Sequence, residues 1–112
     1  MGADGRGKTC VVLATDDTGD GTPLGIAMRY STKQLPQFTE WKMKKRGWYV
    51  LGLEPSTVNP VGRSILREKG QLPFIDPQSA YIVDIELEVL GDREGLKEAV
   101  NEAVALGRGA RK

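Results

Sequence analysis

Residues 37–56, QFTEWKMKKRGWYVLGLEPS, decide the fold class. Thr39, Trp41 and Met43 alternate with Phe38, Glu40, Lys42 and Lys44, and a period of two is the pattern of a strand. KKRG then supplies a turn into a second run, in which Tyr49, Leu51 and Leu53 share one parity and Trp48, Val50, Gly52 and Glu54 the other. Pro55 ends that ladder by removing a backbone donor. Glu54 stands at the strand end on the parity of Gly52, which leaves room where another side chain would stand. On the residues alone, an exposed strand-end carboxylate is the plainer reading of Glu54, and a ligand-facing carboxylate is the alternative.

The same period recurs on either side. TCVVLA at 9–14 predicts a short strand, and in PLGIAMRYS at 23–31, Leu24, Ile26, Met28 and Tyr30 oppose Gly25, Ala27, Arg29 and Ser31. In YIVDIELEVL at 81–90, an unbroken apolar parity of Tyr81, Val83, Ile85, Leu87 and Val89 faces away from Asp84, Glu86 and Glu88. That pattern predicts a half-buried strand with a solvated acidic stripe. DDTGDG at 16–21 has the composition of a calcium loop but neither its ligand spacing nor its closing Glu, and predicts a turn.

Two helical segments complete the outline. Asn59 and Pro60 predict the cap and first turn of a short helix anchored by Ile65 and Leu66 and released at Gly70. Arg63 then projects toward the strand end bearing Glu54, or stands as a solvated arginine. Asp92 predicts the cap of a second helix carrying Leu96, Val100, Ala103 and Val104, stopped by Gly107 and Gly109.

A chain of 112 residues with a hydrophobic fraction of 39% suits one small domain. The expected organisation is a flexible segment over 1–8, a single β-rich domain over 9–106 and a flexible tail over 107–112. Sixteen Lys and Arg against fifteen Asp and Glu leave a net charge of +1, which argues against nucleic acid or an anionic membrane as the main partner. GRGK at 5–8 lacks the spacing and following Ser of a phosphate loop. No apolar run reaches the roughly 20 residues of a membrane span, and the start lacks a signal-peptide core, so the cytoplasm is the expected compartment. Cys10 is the single cysteine and histidine is absent. An intrachain disulfide, a Cys-rich zinc site and a histidine-based acid/base site within this chain are therefore excluded, and neither metal nor cofactor is expected.

Taken as a block, WKMKKRGWYVLGLEPSTVNPVGRSILREKGQLPFIDPQSAYIVDIELEVLG resembles the carboxyl-terminal part of DUF4432-like, aldose 1-epimerase-like proteins with the galactose mutarotase type of β-supersandwich. The resemblance begins near PLGIAMRYSTKQLPQFTEWKM and runs to about Leu90, with GLEPSTVNPVGR as its specific part. It implies a mainly β, antiparallel sandwich fragment with two short helical segments. A small α+β fold, favoured by the last helix, is the alternative.

The resemblance also implies chemistry. Glu54 of GLEP looks like the carboxylate that sugar mutarotases use as general base. Asn59, Pro60, Gly62 and Arg63 fit the family's loop pattern, in which Asn59 and Arg63 would orient sugar hydroxyls. Trp41, in the family-like WKM segment, lines the sugar site or packs within the sheet. Members of such families are longer, and aldose epimerases take their acid partner, a histidine, from an earlier part of the fold. The expectation is therefore a partial or catalytically weakened sugar isomerase or carbohydrate-binding protein acting on a sugar or sugar derivative. A non-catalytic carbohydrate-binding or self-assembly module is the alternative. Open strand edges imply a homo-oligomer or a complementary protein segment.

Overall fold

The computed structural model describes residues 5–109. The alternating runs form β1 (Lys8–Thr15), β2 (Leu24–Ser31), β3 (Gln37–Lys45), β4 (Trp48–Ser56) and β5 (Ile85–Leu90), with α1 (Arg63–Glu68) and α2 (Arg93–Gly109). All strand pairs are antiparallel, in one sheet of order β1-β2-β5 and a second of order β3-β4. The protein is mainly β with two helices. The fold divides into two compact units: one runs through Thr32 and resumes at Val83, and the other is Lys33–Ile82.

In the first unit, DDTGDG forms the turn between β1 and β2, and its carboxylates serve the backbone. Asp17 Oδ1 accepts the amides of Gly19 and Gly21 at 2.7 Å each, while Asp20 Oδ1 accepts the Thr22 amide at 3.0 Å and the Thr18 hydroxyl at 2.8 Å. These bonds stabilise the charged carboxylates, lowering the pKa of Asp17 and taking that of Asp20 to about 2. The loop closes as an Asx-type turn.

Helix α2 lies on one face of the three-stranded sheet. Cys10, Ala27, Leu90, Leu96 and Ala99 are the buried core, with Val12, Ala103 and Leu106 packed against it. Asp92 caps the helix as expected, accepting the Gly95 amide at 2.5 Å. The buried stripe differs from the expected one, however, because Val100 and Val104 are exposed while Ala99 and Leu106 face the core. The helix also continues through Gly107 to Gly109. Glycine weakens a helix by only about 1 kcal/mol relative to Ala and need not stop it. Residues 110–112 of the expected tail lie outside the described residues.

Strand β5 is shorter than its sequence pattern and faces the opposite way. Ile85, opposite Tyr30, is the first residue in register with β2. The apolar parity of Ile85, Leu87 and Val89 is exposed, whereas Leu90, of the acidic parity, is buried beneath α2. The reversal has a physical cause in Arg29 on β2, which makes ion pairs with Glu86 at 3.3 Å and Glu88 at 3.1 Å. The acids thereby stand on the helix side while staying solvated as expected, the side chains of Glu86 and Glu88 being 66% and 47% exposed. At the start of the chain, residues 1–4 lie outside the described residues. Lys8 already belongs to β1, and the Gly7 carbonyl accepts the Thr32 amide at 2.7 Å.

In the second unit, Lys45 pairs with Trp48, leaving Arg46 and Gly47 as a two-residue loop. At the other end Pro55 does not end the ladder as expected: Pro55 stands opposite Phe38 and Ser56 opposite Gln37, a proline being tolerated in an edge strand. Gly47 has φ 81, a conformation that costs glycine nothing. Helix α1 begins later than expected. Its N-cap is Gly62, at φ 97 and ψ 144, rather than Asn59. Only glycine adopts that backbone readily, so the chain turns at 62 and enters the helix at Arg63. Leu66 is buried and Ile65 exposed, so one anchor of the expected two is engaged. Gly70, at φ 67, ends the helix as expected. Among the described residues, no helix is long and apolar enough to cross a membrane.

Candidate functional site

The β3–β4 register fixes which side chains meet. Thr39 stands opposite Glu54, Trp41 opposite Gly52 and Met43 opposite Val50. Directly opposed residues share a face, so Trp41 and Glu54 flank Gly52 on the same side of the hairpin. Glu54 leans back along its strand, because a Cβ built at Gly52 would lie 2.9 Å from Glu54 Oε1. The carboxylate thus occupies the space that glycine leaves, beside the position opposite the indole.

Both side chains are open to solvent, and Trp41 is 46% exposed. Glu54 forms no ion pair among the described residues. The nearby Glu40 is engaged on the other face, at 3.1 Å from Lys42 Nζ. An indole beside an unshared carboxylate offers a flat apolar surface next to a hydrogen-bond acceptor.

The structure does not join the other two expected residues to this pair. Asn59 is exposed in the loop after β4, where its carbonyl accepts the Val61 amide at 2.9 Å. The same loop is tightened by Ser56 Oγ, which donates to the Val58 carbonyl at 2.8 Å. Arg63 opens α1, is exposed, and makes no ion pair with Glu54. Among the described residues, no group of three or more His, Cys, Asp or Glu could hold a metal ion.

A second polar cluster, in the first unit, has no local sequence signal. Arg29 Nη2 lies 2.9 Å from Glu102 Oε2 on α2, and Arg29 Nε donates to the same oxygen at 3.0 Å. Hydrogen bonding by Arg29 holds the Glu102 carboxyl below its ordinary pKa, despite partial burial. Cys10, opposite Arg29 across the ladder, bonds the same carboxylate, and burial followed by the Glu102 charge raises its thiol pKa. Every group in this cluster is satisfied by another, as in a structural anchor of helix to sheet.

The fold and the hairpin pair define a mainly β protein with an indole and a carboxylate on one open face. A family model described as a domain of unknown function (DUF4432) matches residues 1–89, and the chain belongs to that family. No curated protein and no solved structure matches it.

Proposed function

We propose that the chain binds a sugar or sugar derivative on the hairpin face of Trp41 and Glu54, as an aldose 1-epimerase-like protein whose turnover is weak. The observation that carries the reading is the Trp41–Gly52–Glu54 arrangement. The indole can take the C–H face of a pyranose, while the carboxylate, leaning into the space that Gly52 leaves, accepts a hydroxyl. The resemblance of GLEPSTVNPVGR to mutarotase-like proteins supports the same position for a base.

In mutarotation a base removes the anomeric hydroxyl proton while an acid protonates the ring oxygen. The opened aldehyde then rotates and closes on its other face. Glu54 supplies the base and returns the proton on closure. An arginine can orient a hydroxyl but makes a poor general acid, and Arg63 is not joined to this pair. Without a histidine in the acid role, and with roughly 10²- to 10⁴-fold attached to each such group, binding should outlast turnover.

Calorimetric titration with a panel of aldoses, alongside polarimetric relaxation of freshly dissolved sugar, tests both parts. Saturable binding abolished by Trp41→Ala, with little protein-dependent relaxation, is the expected result. A panel with no saturable binding rejects the reading.

A further inference from the structure

The first unit turns an uncharged apolar face away from α2. By register, this face carries Thr9, Val11, Leu13 and Thr15 of β1, Leu24, Ile26, Met28 and Tyr30 of β2, and Ile85, Leu87 and Val89 of β5. None of these side chains is charged, whereas the opposite face holds Lys8, Arg29, Glu86 and Glu88. Thr9 and Tyr30 are buried at one end, but Leu13, Leu24, Ile85, Leu87 and Val89 are 42%, 48%, 45%, 58% and 75% exposed. An open groove of about 480 Å³ runs between Leu13, Leu24, Ile26 and Val89.

We propose that this face is a dimer interface, occupied by the same face of a second copy of the chain. Two properties favour a copy over an unrelated partner. First, a face without charge is self-complementary: a two-fold axis brings no like charges together, and no specific counter-charge is needed. Second, the area suffices. The five exposed side chains present on the order of 500 Å² per copy, so two copies remove about 1,000 Å² from water, the threshold of a specific interface. Two twisted sheets packed face to face at about −30° interdigitate such side chains. An area at the threshold suits a reversible dimer. This inference is independent of the sugar reading, whose hairpin residues belong to the other unit.

Analytical ultracentrifugation of the full chain, from low micromolar to millimolar concentration, tests it. The expected result is a monomer–dimer equilibrium with no larger species, weakened at least tenfold by Leu87→Glu and unaffected by Lys97→Glu on α2. Circular dichroism establishes that each variant keeps the parent fold. Should Leu87→Glu lose that fold, Val89→Lys at the more exposed position makes the same test. A parent that stays monomeric throughout, an open-ended series of oligomers, or a dimer indifferent to these face substitutions overturns the proposal. The last outcome would indicate pairing through the strand edges instead.

Discussion

Arg29 on β2 and Glu102 on α2, separated by 73 positions in the chain, are joined at 2.9 Å. This bond ties the helix to the sheet at the point where Cys10, Glu86 and Glu88 also converge on the same two residues. The charge-assisted geometry strengthens the contact, while the partial exposure of Glu102 screens it.

Replacing Glu102 with Gln should lower folding stability by about 1 kcal/mol near neutral pH, after allowing for that screening. The pKa of Glu102 is lower in the folded state. Its stabilisation is therefore fully present above the unfolded-state pKa and disappears as pH falls through the folded value. Urea unfolding at neutral and acidic pH checks both statements: parent and variant should differ at neutrality and converge in acid. A gap that widens on acidification would reject this linkage.

Gly25 packs directly beneath α2. A Cβ there would lie 2.2 Å from Leu96 Cδ2 and 3.1 Å from the Leu13 carbonyl oxygen. Because Leu96 is buried, it has little freedom to withdraw. Gly25→Ala should consequently destabilise the fold by about 1–3 kcal/mol, the usual range for overpacking. Thermal and urea unfolding measure the loss, and a stability equal to the parent's would contradict the observed packing.

The strands were legible because period two survives local noise, and β1, β2 and β3 follow their sequence patterns closely, whereas β4 runs through Pro55 to Ser56 instead of ending at the proline. Facing was less legible. Alternation in YIVDIELEVL separates apolar from acidic residues but does not say which side a helix covers. Arg29, distant in sequence, reverses the expected answer by pairing with Glu86 and Glu88. The start of α1 was missed for another reason: Asn-Pro is a good local cap, while the turn required the positive φ of Gly62. The meeting of Trp41 with Gly52 was available in principle. Counting outward in pairs from Arg46 and Gly47 brings Trp41 opposite Gly52 and Thr39 opposite Glu54. The Cys10–Arg29–Glu102 cluster offered no comparable signal, since its members come from different elements and no local spacing relates them.

Cys10 should react slowly with thiol reagents in the native protein. It is 6% exposed, and burial with the nearby Glu102 charge disfavours the thiolate that such reagents require. Its raised folded-state pKa also contributes stability present below the unfolded value and lost as pH rises through the folded one. Labelling with an aromatic disulfide should be at least tenfold slower in buffer than in denaturant. Equal rates would mean that the β1 edge opens readily under native conditions.

Gly52 separates the roles of shape and charge at the hairpin face. Its missing Cβ leaves the space into which Glu54 leans, and an added methyl would meet Glu54 Oε1 at 2.9 Å. Glu54 is exposed and can swing away, unlike Leu96 above Gly25, so Gly52→Ala should alter stability by no more than about 0.5 kcal/mol. The displaced carboxylate would then lie farther from the position opposite Trp41. Sugar affinity should fall about tenfold, equivalent to ~1.4 kcal/mol. Glu54→Gln keeps the length and an acceptor oxygen but removes the negative charge, so it should retain more binding than Gly52→Ala while losing any residual mutarotation. Calorimetry, polarimetry and urea unfolding on the two variants separate these effects. Were Gly52→Ala to bind sugar as the parent does with its fold intact, the space between Trp41 and Glu54 would not be the sugar site.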